Sequence, residues 1–235
     1  MKRIIYGVMV IAVTLIACGI TSGQSRETRS VSDFTKVSFG VSGNLNIKLG
    51  HEFSLEIEGS RRALEETLTE VSGGRLVIRR EFMRNFFNNT NDRVTINITM
   101  PAIEGLSVSG SGKAQIMDDV EADKLTLSVS GSGKVQTSDI EADDLQCGIS
   151  GSGNIVLGSG GSVDNGKVTI SGSGGFSGGS VEIDHLTVNV SGSGDCVCKV
   201  GDSLNAHISG SGNVNYKGNP RVNARVSGSG HVRSI

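Results

Sequence analysis

Five aspartates recur at near-regular spacing in the C-terminal half of the chain: Asp123, Asp143, Asp164, Asp184 and Asp202. Glu121, Glu141 and Glu182 run beside three of them. Stacked carboxylates repel unless a cation or hydrogen-bond donors lie between them, so such a column could hold Ca²⁺. The competing reading has each Asp capping its own turn through an Asx hydrogen bond. Calcium-binding nonapeptide repeats have a different period and pattern, which favours the cap and no metal. Cysteine supplies a second candidate. Cys196-Val197-Cys198 could be a redox or metal pair, but no His or further Cys lies at ligand spacing. The apolar neighbours of Cys147 at two-residue spacing, and the shared parity of Cys196 and Cys198, read instead as small buried hydrophobes. His51, His185, His207 and His231 are scattered, and there is no Trp. A polysaccharide lyase or hydrolase should show carboxylates joined by Arg or Lys on one face, often with aromatic sugar platforms. No catalytic residue and no cofactor is therefore assigned.

Cys18 carries chemistry of another kind. Lys2 and Arg3 precede an apolar run from Ile4 to Ala17, too short for a comfortable membrane span and suited to a signal peptide. The run ends in Leu15-Ile16-Ala17-Cys18, which looks like a bacterial lipobox: cleavage before Cys18, then acylation of that cysteine. Several acyl chains on one residue give stable anchoring. The alternative is ordinary secretory cleavage, for example after Gly23. A further candidate lies in the polar stretch 81–92, where Phe82, Met83, Phe86 and Phe87 could contact a partner or protomer, or fold back over the protein.

The elements that must position these residues form a repeat. Ser-Gly-Ser-Gly begins at Ser109, Ser130, Ser150, Ser171, Ser191, Ser209 and Ser227, at intervals of 21, 20, 21, 20, 18 and 18 residues. Alternating strands such as Leu125–Val129 and Leu186–Val190 enter the motif, and shorter ones leave it. A unit this short cannot bury its own apolar face, so units must stack. Twenty residues at roughly 3.3 Å each trace about 66 Å, one coil with three short faces. A β-sandwich would not repeat one tetrapeptide in phase seven times. The reading is all-β: a right-handed parallel β-helix of about 20-residue coils over 105–235. Residues 24–104 form an N-terminal β cap region with one short helix at Arg61–Glu70, and 1–23 is the signal peptide. Within the motif, either the glycines face inward to let walls approach, or they turn a corner at positive φ. Both uses are structural, and seven equivalent copies argue for scaffold over chemistry.

Composition agrees. Of 235 residues 34 are Gly but only 2 are Pro, which excludes collagen, and 36% are hydrophobic, which argues against a disordered linker. The net charge of −2 offers no basic footprint for nucleic acid.

The chain resembles the bacterial envelope family of autotransporter-adhesin head GIN domains. The resemblance covers 34–235 as one continuous domain. It rests on Phe34-x-x-Val37 leading to Val41-x-Gly43, Met100-Pro101 before Leu106-x-Val108-Ser-Gly-Ser-Gly, the repeated motif, and Tyr216-Lys-Gly-Asn-Pro220. It implies a parallel β-helix-like fold and an envelope protein, mostly of Bacteroidetes-type bacteria. It supplies no catalytic residues. The combined expectation is a non-catalytic, lipid-anchored binding or adhesion module. Its partners would be the lipid membrane through the acyl anchor and an envelope protein or glycan, with self-association left open. An outer-membrane lipoprotein is favoured over a soluble periplasmic or secreted protein. The alternatives are a β-helix polysaccharide-active enzyme and a purely structural envelope protein.

Overall fold

The computed structural model describes residues 25–81 and 92–235. The leader with Cys18, and Phe82, Met83, Phe86 and Phe87, lie outside the described residues.

From residue 105 onward the alternating sequence builds a β-solenoid, as its periodicity requires. Its strands are β8 (Gly105–Gly110), β9 (Lys113–Ile116), β10 (Val120–Gly131), β11 (Lys134–Gln136), β12 (Ile140–Gly151), β13 (Asn154–Val156) and β14 (Gly161–Gly172). They continue as β15 (Gly175–Gly192), β16 (Asp195–Gly210), β17 (Asn213–Lys217), β18 (Arg221–Gly228) and β19 (His231–Ser234). Each coil has an incoming strand, the Ser-Gly-Ser-Gly corner and an outgoing strand. Coils pair in parallel, equivalent residue on equivalent residue. Val108, Val129, Ile149, Ile170, Val190, Ile208 and Val226 thus form one inward column. Burying each such side chain contributes roughly 1.5–3 kcal/mol, which offsets the backbone ordering that one coil alone could not offset.

Each glycine of the motif realises one of its two expected uses. The first turns the corner: Gly151 has φ 107°. The second faces inward and brings adjacent coils together: a Cβ on Gly153 would lie 2.3 Å from Val129 Cγ1 and 2.6 Å from the Gly133 carbonyl oxygen. Backbone bonds such as Ser152 N–H to Gly131 O, at 2.9 Å, carry the ladder through the corner. The serines point outward and are exposed.

Changes in coil length never fall at this corner. Gln136 pairs with Val156 but Ile140 with Gly161, so the extra residue enters after the outgoing strand. In the shorter coils the slips fall between Gly178 and Glu182 and between Ile183 and His185, again on that arc.

The N-terminal region is organised differently from a cap laid on one end. Its elements are β1 (Ser25–Arg29), β2 (Lys36–Gly40), β3 (Gly43–Leu49), β4 (Ser54–Gly59), α1 (Arg61–Glu66), β5 (Thr67–Ser72), β6 (Arg75–Arg80) and β7 (Val94–Met100). β2 and β3 form a coil stacked directly on β8 and β9, with Gly40-Val41-Ser42-Gly43 in place of the motif. β6 and β7 stack on the other side of β2 and β3, so the chain lays down its outermost coil after the next one in. Antiparallel β5 covers β6, β4 pairs antiparallel with β7, and β1 pairs antiparallel with the far edge of β4. The helix is shorter than its Leu64–Leu68 spacing suggests. Ser60 caps its start, its Oγ accepting from Ala63 N–H at 3.1 Å. Thr67 then turns extended, because Thr67-Leu-Thr-Glu-Val-Ser72 alternates and pairs with β6. Arg29 binds this junction, donating to Thr67 O (2.6 Å) and Leu64 O (2.9 Å) while its Nε meets Glu27 at 2.8 Å.

Candidate ligand-binding faces

The aspartate column lies at a second corner. The ladder skips Asp123, Asp143 and Asp164, and two successive residues face solvent there, which marks a bend. Register places Asp123, Asp143, Asp164 and Asp184 in line, while the bulge sets Asp184 against both Gly201 and Asp202. None of these carboxylates accepts an Asx hydrogen bond among the described residues, so the turn-cap expectation fails. The bend is already held by ladder pairing on both sides. Capping falls instead to residues at the third corner: Leu49 N–H donates to Asp118 at 2.8 Å, and Ser159 Oγ to Asp139 at 3.1 Å. Asp202 comes within 4.0 Å of His185 Nε2. Among the described residues no group of three His, Cys, Asp or Glu side chains is placed to hold a metal ion.

All three described cysteines are free and buried. Cys147 occupies the step between Leu127 and Val168 in an aliphatic column, and Cys196 the step between Phe176 and Val214. Burial pushes the Cys147 thiol up, away from its reactive form. The Cys196 thiol is raised too, first by its hydrogen bond with Cys198 and then by burial.

The outer face of the incoming strands carries polar side chains in ordered columns. Reading back two residues from the first Ser of each motif gives Ser107, Ser128, Gly148, Thr169, Asn189, His207 and Arg225. Reading back four gives Gly105, Thr126, Gln146, Lys167, Thr187, Asn205 and Asn223. Both sets stand in register, beside the serine ladder of the corner. Some neighbours bond across coils, such as the Ser107 and Ser128 hydroxyls at 2.7 Å and Asn223 Nδ2 to Asn205 Oδ1 at 3.3 Å. These columns were not singled out from the sequence, although counting back from the motif would have found them.

Two depressions break this face. A shallow groove runs over Thr169, Asn189, His207 and Arg225 beside the corner serines. An open notch of about 340 Å³ lies over Gly105, where the column lacks a side chain, between Lys36 and Arg75 on one side and Thr126 and Gln146 on the other. Its one carboxylate, Glu104, is held by Lys36 at 3.4 Å and by the Thr35 hydroxyl at 3.0 Å. The face therefore presents donors and acceptors, mostly neutral. It shows no paired carboxylates of the sort acid–base cleavage of a sugar uses.

Solved structures share this fold. A putative adhesin from Bacteroides fragilis superposes with a TM-score of 0.82 at 24% identity, covering 92% of this chain and 100% of that one. A putative adhesin from Parabacteroides distasonis gives 0.73 at 21%, covering 91% and 98%. A putative lipid binding protein from the same organism gives 0.67 at 20%, covering 91% and 97%. No curated protein matches the sequence. The family model described as putative auto-transporter adhesin, head GIN domain, matches residues 33–220, so the chain belongs to that family.

Proposed function

We propose that the protein is a lipid-anchored, non-catalytic module of the cell envelope, and that its incoming-strand face binds a repetitive, hydroxyl-rich ligand, an envelope glycan. The observation carrying this reading is the register of that face. Hydroxyls and amides from Ser128, Thr169, Asn189, Gln146 and Thr187 repeat at the coil spacing of about 4.8 Å. A periodic polymer of hydroxyl groups can satisfy such an array many times over, each contact weak and the sum specific. The family's description as an adhesin supports a binding role. The single, already paired carboxylate of the notch gives no acid–base pair for cleavage.

Anchoring rests on Leu15-Ile16-Ala17-Cys18. β1 begins at Ser25 and edges the capped end of the stack. A tether from Cys18 to Ser25 spans at most about 25 Å, so the capped end would face the membrane and the last coils point away from it.

Two measurements test these parts separately. Cys18→Ala is expected to move the protein from the membrane to the soluble fraction, and a variant that stays membrane-bound refutes the anchor. On a glycan panel the mature protein is expected to bind, and Thr169→Glu with Asn189→Glu to lose binding. A pull-down from envelope extract that captures a protein, with no glycan retained, refutes the glycan. Release of product from any polysaccharide refutes the non-catalytic reading.

A further inference from the structure

The two ends of the solenoid are unlike. The N-terminal end is closed by antiparallel β1, β4 and β5. At the other end β18 and β19 each pair on one edge only, with β16 and β17, so the far edge of both strands is unpaired among the described residues. The inward columns also stop uncovered. Val222 and Val226 are 41% and 42% exposed, where Leu204 and Ile208 one coil earlier are 0% and 3%. Around this apolar floor stand Lys217, Arg221, Arg225 and Arg233, and no acidic side chain follows Asp202, in a chain whose net charge is −2. Arg233 donates to Asn215 Oδ1 at 2.8 Å. Lys217, Arg221 and Arg225 have no carboxylate partner among the described residues.

We propose that this end is a docking site for an extended, acidic polypeptide segment of another protein, which adds as a further strand along β18. Three features converge on that occupant. An unpaired strand edge is satisfied by backbone N–H and C=O groups, which a lipid surface does not supply in register. The exposed valines call for apolar side chains at alternate positions of the incoming segment. Arg221 and Arg225, at the alternate positions of the same strand, call for carboxylates at the others. A second copy docked end to end about a twofold axis would pair β18 antiparallel with its copy, and the register centred on Asn223 would set Arg221 of each against Arg225 of the other, a like-charge arrangement that disfavours pairing. The proposal does not rest on the glycan reading. Arg225 belongs both to this end and to the last step of the side groove, so Arg221→Glu alone, outside that groove, separates the two.

The test uses the full mature chain and a fluorescein-labelled peptide matching the eight residues of β18, with Glu alternating with Val or Thr. Its controls are the same peptide with Lys for Glu, and a scrambled one of equal composition. Fluorescence anisotropy is expected to show binding of the alternating acidic peptide alone, weakened about tenfold between about 0.15 M and about 0.5 M salt. Arg221→Glu with Arg225→Glu is expected to weaken it at least about tenfold. Both positions are exposed, so the core is untouched, and a thermal melt verifies the fold. Val226→Lys, which puts a charge on the floor, is expected to do the same, whereas Lys167→Glu on the side face leaves binding unchanged. Equal binding of acidic and basic peptides, absence of binding, or indifference to the double arginine variant overturns the proposal. So does sedimentation showing a dimer that Val226→Lys dissociates, which would make a second copy the occupant.

Discussion

Replacing Gly153 with alanine is expected to cost about 2–4 kcal/mol, while the same change at nearby Gly148 costs nothing. The difference comes from what each Cβ would meet. At Gly153 the new atom lies 2.3 Å from Val129 Cγ1 and 2.6 Å from the Gly133 carbonyl oxygen. Val129 is fully buried in a column with Val108 on one side and Ile149 on the other, so a shift of its methyl group presses on packed neighbours. The Gly133 oxygen accepts from Asn154 N–H at 3.0 Å, so moving the coils apart loses that bond. Overpacking costs about 1–3 kcal/mol and a ladder hydrogen bond about 0.5–1.5 kcal/mol. Gly148 points outward between Ser128 and Thr169, with no atom within 4 Å of its would-be Cβ. Alanine there restricts the unfolded chain and stabilises by up to about 1 kcal/mol. For a chain of this size each kcal/mol moves the melting midpoint by about 2–4 °C, so Gly153→Ala should melt about 4–16 °C lower. Thermal melts followed by circular dichroism read the midpoint, and native-state hydrogen exchange should place the loss in the coils that Gly153 and Gly133 join. Equal midpoints for the two variants would refute the close-approach role of the motif's second glycine.

The buried thiols give a pH dependence of known sign. Because burial raises the Cys147 pKa in the folded state, its contribution is fully present below the unfolded thiol pKa and is lost as pH rises above it. Urea titrations from about pH 8 to about pH 10 should show stability falling, and Cys147→Val should reduce the slope by up to about 1.4 kcal/mol per pH unit; an unchanged slope refutes this. Arg29→Met removes the donors that join β1 to the end of α1, and should cost about 2–3 kcal/mol by urea melt; a loss within 0.5 kcal/mol, the usual surface range, means those bonds are idle. Asp143→Asn relieves a row of exposed like charges, and should raise the melting midpoint slightly at low salt and not at about 0.5 M; a fall at low salt would mean that the carboxylate has a bound partner.

The repeat was legible because its signal is local and in phase. Seven Ser-Gly-Ser-Gly copies, each following a Leu- or Val-rich alternation, announce coils and corners without any knowledge of pairing. The stacking order of the N-terminal coils was not legible. Nothing in Lys36 or Arg75 states that β2 lies between β6 and β8, since that neighbourhood is settled by which apolar columns extend best. Gly40-Val41-Ser42-Gly43 held a remnant of the motif, too degenerate to mark a coil. The aspartates misled for a related reason. Their regular spacing follows from the coil, and regularity alone does not distinguish a side chain that makes a bend from one that decorates it. Asp118 and Asp139, which do bond across coils, belong to a less regular arc and stood out less.

That irregularity also bears on the proposed glycan face. Coils of 18 to 21 residues are stacked here, so some part of each must absorb the difference. The slips between Gln136 and Ile140, Gly178 and Glu182, and Ile183 and His185 all fall on the arc from the segment that leaves the motif to the aspartate bend, before the segment that enters the next motif. The corner cannot take them. Its first glycine needs positive φ, and its second sits against a carbonyl of the coil before, so a one-residue slip would drive a side chain into that carbonyl. Residues two and four before the motif inherit that constraint, because only a continuous strand separates them from it. A ligand with its own period needs partners that stay in line from coil to coil. The incoming-strand face offers such lines over the whole stack, whereas the arc opposite loses registry at each change of coil length. The glycines that set the fold are thus also what keeps Thr169, Asn189 and their neighbours in line from coil to coil, as the proposed periodic ligand requires.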